Sequence, residues 1–109
     1  MLALTLIHNK YAIMRLEVEF TRHAAEKMNA RYVSESDVKL ALKDPDSLFS
    51  DKEHETFAIV KSIRNRYLLI MYTRKNQTYR VITVYFSTKV DKLISSKIRR
   101  EAWVKIEKE

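Results

Sequence analysis

The side chains able to do chemistry in this 109-residue chain are arginine, lysine, tyrosine and three histidines, because cysteine is absent. Without thiols there is no thiolate nucleophile, no disulfide and no Cys-ligated zinc or iron–sulfur centre. His8, His23 and His54 lack the spacing of metal ligands, the chain has no glycine from which to build a phosphate-cradling loop, and no serine sits in a nucleophile elbow. No metal and no other cofactor is therefore expected. The residues that remain could cleave RNA without a metal, since the ribose 2′-hydroxyl is itself the nucleophile. The protein then needs a proton acceptor, cations for the phosphorane charge and a proton donor for the leaving oxygen. The same residues also suit plain phosphate binding, and inventory alone does not separate the two.

Individual positions narrow the search. His23 opens the first predicted helix and is the candidate proton-transfer group, against the more ordinary role of hydrogen-bonding a nearby carbonyl. Arg80 lies inside an otherwise apolar strand, where a guanidinium needs a carboxylate or phosphate partner. Tyr85 and Lys89 follow it and would contact or polarise phosphate, so His23, Arg80 and Tyr85 form the candidate catalytic set. Arg64, Arg66, Tyr72, Tyr79, Lys89 and Lys92 are the candidate nucleic-acid contacts. Against them stand commoner outcomes, solvated arginines beside a turn and tyrosines used for packing. The charge distribution favours a polyanionic partner. Residues 1–54 hold 8 Lys+Arg against 9 Asp+Glu, whereas residues 55–109 hold 13 against 5, so the first half contributes −1 and the second +8 to the net +7.

The elements that must position these residues can be read in chain order. A hydrophobic content of 46% with 32% charged residues fits one globular domain with a single modest core. Residues 1–13 read as an N-terminal extension, and Met14 opens a single domain spanning 14–109. Arg15 to Phe20 alternates apolar and charged residues as a half-exposed strand does. Thr21 caps a predicted helix over Arg22 to Ala30, and Ser34 caps a second that Asp44-Pro45 terminates. After a short strand at Leu48 and Phe49 comes a meander with strands Phe57–Ile63, Tyr67–Thr73 and Thr78–Phe86. Its loops fall at Asn65-Arg66 and Asn76-Gln77, with asparagine supplying the positive φ that glycine would. From Ser87 the period becomes 3.6, and Val90, Ile94, Ile98, Ala102 and Ile106 predict one basic C-terminal helix. Trp103 falls within it as a packing contact. The expected fold is α+β: two short N-terminal helices packed on a twisted antiparallel sheet of about four strands, plus the C-terminal helix.

Two-residue hairpin loops would place Val60, Leu69, Met71, Ile82, Val84 and Phe86 on one face as a core. Tyr72, Tyr79, Val81, Thr83 and Tyr85 would then share the other face with Ile59, Leu68 and Ile70. That tyrosine-bearing surface could stack on bases, bind a partner or lie under the C-terminal helix. Arg80 falls on the core side in this register.

Several motifs occur in a telling order: Phe20-Thr21-Arg22-His23-Ala24, then Met28 and Arg31, Val33-Ser34-Glu35-Ser36-Asp37-Val38, Asp44-Pro45-Asp46, and Arg80-Val81-Ile82-Thr83-Val84-Tyr85. In this order the chain resembles a family of short uncharacterised prokaryotic proteins that are similar, distantly, to the RelE/ParE and BrnT toxins. The resemblance runs from residue 15 to about 92. It implies a RelE/ParE-like fold and a toxin-like, RNA-binding protein, an mRNA endoribonuclease of a toxin–antitoxin pair. Arg80 then matches an arginine opening the last strand of BrnT-like sequences, while Tyr85 stands where those sequences carry a second arginine. The alternative is a non-catalytic module that binds protein or nucleic acid. RNA or the ribosome, an antitoxin-like protein and a second copy in a homodimer are the candidate partners. No apolar run approaches the roughly 18 residues that span a bilayer, so a cytoplasmic protein without membrane association is expected.

Overall fold

The computed structural model describes residues 17–107. The expectations for residues 1–13, Met14 and the first residues of the opening strand lie outside the described residues. Strand β1 (Glu17–Phe20) leads into helices α1 (Arg22–Arg31) and α2 (Glu35–Lys43). Strands β2 (Ser47–Asp51), β3 (Thr56–Ile63), β4 (Arg66–Lys75) and β5 (Thr78–Ser87) follow, then helix α3 (Val90–Arg99) and strand β6 (Trp103–Ile106).

Both early helices start where side-chain oxygens replace missing backbone partners. Thr21 Oγ1 accepts from the Ala24 N–H at 3.0 Å and Ser34 Oγ from the Asp37 N–H at 3.0 Å, caps worth about 1 kcal/mol each. α1 ends at Tyr32, whose φ of 55° turns the chain so that the Val33 N–H reaches the Met28 carbonyl at 2.9 Å. α2 ends before Pro45, which excludes helical geometry from Asp44.

Among the described residues the sheet has six strands in the order β1-β5-β4-β3-β2-β6, two more than the expected four or so, and it is mixed. β1 runs parallel to β5, with Phe20 opposite Val81, while the other pairings are antiparallel. The short strand expected at Leu48 and Phe49 extends to Ser47–Asp51 and pairs fully with β3, and the unexpected strand arises because the predicted C-terminal helix stops early. Glu101, at φ 61°, reverses the chain after α3, and Trp103–Ile106 pairs with β2. Ala102 and Ile106 continue the helical stripe in sequence, but their backbone is needed to extend the sheet.

The first hairpin turns on Arg64-Asn65, one residue earlier than expected, with Ile63 opposite Arg66 and φ of 48° and 67° in the turn. The second turns on Asn76-Gln77 as expected. β3 and β4 therefore divide between the faces as the two-residue loops require. β5 does so only up to Val81. Tyr72 pairs with Val81 and Met71 with Thr83, which leaves Ile82 as a bulge and shifts the alternation by one residue. Beyond it Val84 and Phe86 join Leu68 and Ile70, and Thr83 and Tyr85 join Leu69 and Met71, the reverse of the expected exchange.

Neither face is bare. α1 and α2 lay Ala24, Met28, Val38, Ala41 and Leu42 on Ile59, Leu68, Ile70, Tyr72, Val81 and Val84. The tyrosine-bearing face, expected to stack on bases, bind a partner or lie under the C-terminal helix, is thus covered by α1 and α2 as the floor of the larger core. On the opposite face α3 sets Val90, Leu93 and Ile94 against Phe49, Ala58, Val60, Leu69 and Trp103. Past β1, α1 also caps the outer edge of β5. The Thr21 N–H and Oγ1 donate to the Val81 and Ile82 carbonyls, and Arg31 donates to the Val84 carbonyl at 2.7 Å.

Candidate functional site

α3 covers only part of its face, and a cleft of about 270 Å³ opens beside it, lined by Asp51, His54, Thr56, Met71, Ile82, Thr83, Tyr85, Lys97 and Trp103. The bulge builds this cleft, because it turns both Ile82 and Thr83 toward Met71. At its rim the end of β2 holds the most constrained polar residue among those described. Asp51 is 1% exposed. Its Oδ1 accepts from the backbone N–H groups of Glu53 and His54, each at 2.9 Å, which folds the turn after β2. Its Oδ2 accepts from Trp103 Nε1 at 3.1 Å and from His54 Nδ1 at 3.0 Å.

Burial alone would raise the Asp51 pKa, but the donors from His54 and Trp103 outweigh it and hold the carboxyl below its ordinary value. The group is therefore an acceptor only, and the proton shared with His54 belongs to Nδ1. His54 Nε2 is left to face outward from a side chain 62% exposed at the cleft. A carboxylate that fixes an imidazole's tautomer and leaves its other nitrogen open is the arrangement general bases require. Lys97 and Tyr85 line the same cleft, a cation and a phenol. Burial raises the Tyr85 pKa, opposed by Arg31, whose guanidinium lies 5.9 Å from the ring centre. The Thr56 hydroxyl, at the cleft's base, is buried without a hydrogen-bond partner.

Asp51, Glu53 and His54 each bring a potential ligand atom within 4.8 Å of the others. They fit a metal poorly. The lone pairs of Asp51 are already spent on four N–H donors, and Glu53 is paired with Arg100 at 3.3 Å.

The positions singled out in the sequence scatter over the molecule. Tyr85 lines the cleft. Arg80 is exposed on the same face, in a second concavity with Glu19, Thr73, Lys75, Asn76 and Thr78 at the far hairpin. Met71 and Thr73 on β4, and Ile82 and Arg80 on β5, make the two depressions neighbours along one sheet face. No ion pair to Arg80 occurs among the described residues. His23 is exposed on α1, the helix that packs on the opposite face, so the geometry does not join it to Arg80 and Tyr85.

Arg64 is held by Asp37 at 2.9 Å, tying the first hairpin to α2. Arg66 lies over the Phe86 ring at 3.8 Å. Tyr72 is 6% exposed between Phe57 and Tyr79, ring centres 5.5 and 5.3 Å away. Burial, with a smaller contribution from Tyr79, pushes its pKa up to about 12. Tyr79 is half-buried under Arg74, 4.7 Å from its ring centre. Lys89 and Lys92 are exposed at and just inside the start of α3.

Asp51, His54, Lys97 and Trp103 were not among the candidate site residues of the sequence, where His54 entered only as a histidine without metal-ligand spacing and Trp103 as a helix packing contact. The local signal was an aspartate ending a strand three residues before a histidine, the pattern of a side chain closing its own turn. The contact to Trp103 spans 52 residues and leaves no local trace.

Fold and site together define an α+β protein whose mixed six-stranded sheet carries an acid-oriented histidine over a cleft on its partly covered face. Residues 20–86, more than half of the chain, match the family described as a domain of unknown function, DUF4258, and the chain belongs to that family. The matched span runs from the end of β1 nearly to the end of β5, so it includes Asp51, His54 and Tyr85, while Lys97 and Trp103 lie beyond it. No curated protein and no solved structure gave a significant match. Among the described residues no helix is long and apolar enough to cross a membrane.

Proposed function

We infer that this protein is a toxin-like RNA-binding protein that cleaves RNA without a metal. The observation that carries this reading is the His54–Asp51 pair, 3.0 Å apart, at a cleft that also holds Lys97 and Tyr85. His54 Nε2 takes the proton of a ribose 2′-hydroxyl, and the 2′ oxygen attacks the adjacent phosphorus. The bond from phosphorus to the 5′ oxygen breaks, leaving a 2′,3′-cyclic phosphate and a free 5′-hydroxyl. Lys97 offsets the charge of the phosphorane, and the Tyr85 phenol, kept protonated by its raised pKa, returns a proton to the leaving oxygen. Arg80 and Lys75, further along the same face, hold the flanking phosphates. The resemblance to RelE/ParE and BrnT toxins supports the same class of activity and an antitoxin-like protein as partner.

Incubation of purified protein with RNA in EDTA tests the reading. Cleavage with cyclic-phosphate ends is expected, a 2′-deoxy residue at the scissile position should be inert, and His54→Ala should slow the reaction by about 10²–10⁴-fold. Intact RNA overturns the enzymatic reading. A second reading, a non-catalytic module for nucleic acid, is favoured by Arg80, which lies in a polar concavity with no ion-pair partner among the described residues. It predicts RNA binding that His54→Ala leaves unchanged and Arg80→Ala weakens.

A further inference from the structure

The outer edge of β6 differs from the capped edge of β5. The Lys52 N–H donates to the Ala102 carbonyl at 2.7 Å, which makes that pair, and by alternation Ser50 with Val104 and Leu48 with Ile106, the hydrogen-bonded pairs of the β2–β6 ladder. The N–H and C=O of Lys105 therefore point away from the sheet. No described side chain reaches them, in contrast to Thr21 and Arg31 on β5. Beside this edge lie two of the few large exposed apolar residues among those described, Ile98 at 45% and Val104 at 48%, in one shallow depression with Glu101, Trp103 and Lys105. An open strand edge next to exposed apolar surface is an association site.

The charges on the strand select the occupant. Lys105 and Glu107 are exposed, two residues apart, and neither has an ion-pair partner among the described residues. A lone edge lysine guards against pairing, and an antiparallel copy centred on Lys105 would set lysine against lysine. Centred on Ile106, the copy sets each Lys105 opposite Glu107 of the other chain. That register also matches the ladder, since Lys105 carries outward backbone groups within β6 and Glu107, the residue after the strand, would carry the next outward set if the alternation continues. It places Val104 diagonal to Ile106 of the second copy, covering part of the apolar surface.

We propose that two copies of this chain associate through β6, antiparallel about Ile106, joining their sheets into one of twelve strands. Lys105, Ile106 and Glu107 do not line the His54 cleft, although Trp103 borders both, and the proposal does not depend on the cleft's activity. Light scattering on the full chain should give twice the 13.0 kDa chain mass. Lys105→Glu and Glu107→Lys should each weaken association about tenfold, and the double exchange should restore it, because the crossed pairs re-form with reversed sign. Because the chain has no cysteine, Ile106→Cys provides a single thiol. The paired Cα atoms would sit about 4.5 Å apart, within disulfide range, so mild oxidation should cross-link this variant and not Val104→Cys. A chain that stays at 13.0 kDa at millimolar concentration overturns the proposal, as do additive effects of the two charge changes or equal cross-linking at residues 104 and 106.

Discussion

Asp51 uses one carboxylate for three purposes: it folds the turn after β2, fixes His54, and receives the indole N–H of the chain's only tryptophan. Its removal would leave several donors unmet, among them the Nε1 of Trp103, a residue only 2% exposed. Asp51→Ala should therefore cost about 3 kcal/mol in urea melts, near the upper end for one hydrogen-bonded group, because a charged acceptor is lost. The pH dependence has a definite sign. The folded carboxyl titrates below its unfolded value, so its stabilisation is complete above the ordinary aspartate range and fades as pH falls through the lower folded value. Melts of the two proteins should converge toward acid pH for this reason. His54 was hard to foresee because Asp51 to Glu55 reads as a solvated charged loop, and nothing local reveals that its first residue is buried. Arg80 and Tyr85 could be singled out because an arginine and a tyrosine in a β-branched strand are locally conspicuous.

Turns carry much of the cost of a chain without glycine. Tyr32, Glu55, Arg64, Asn65, Asn76 and Glu101 all hold positive φ, and only the two asparagines suit it. Glu101 is the position that turns α3 into β6. Glycine there relieves roughly 1–2 kcal/mol of backbone strain and gives back part of it as unfolded-state entropy. Glu101→Gly should thus gain about 0.5–1 kcal/mol, a rise of roughly 4 °C in Tm by calorimetry, and Glu101→Ala should not. The same position explains why β6 was not visible in the sequence. Without a glycine or proline to mark the stop, the helical spacing runs on through Ala102 and Ile106. Thr21, Ser34 and Pro45, by contrast, mark their helix boundaries by local chemistry, and the asparagines mark the hairpins. The bulge at Ile82 is the opposite case, since the run from Thr78 to Phe86 suits a strand with or without it. One unmarked residue therefore reversed the sides of Thr83, Val84, Tyr85 and Phe86.

Over the whole molecule, positive charge collects in the second half of the sequence, whose β4, β5 and α3 border the open face. Binding of single-stranded RNA should then weaken with salt. Contacts from Lys75, Arg80 and Lys97 imply a slope of about −2 in log K against log salt concentration. Titrations at several salt concentrations should show Arg80→Ala lowering that slope by about 0.7 for every RNA sequence tried. A salt-insensitive association would mean that these cations do not meet phosphate. The strand order also has a consequence in time. β3, β4 and β5 are joined by two-residue turns and can pair as soon as they are made, whereas β1 waits for Thr78 to Val81 and β2 gains its outer neighbour only from residues 103–106. Distant strands close at a larger entropic cost than neighbours. A chain emerging from the ribosome thus possesses its meander long before the indole that completes the surroundings of Asp51, and the histidine over the cleft acquires its final setting only when the last strand arrives.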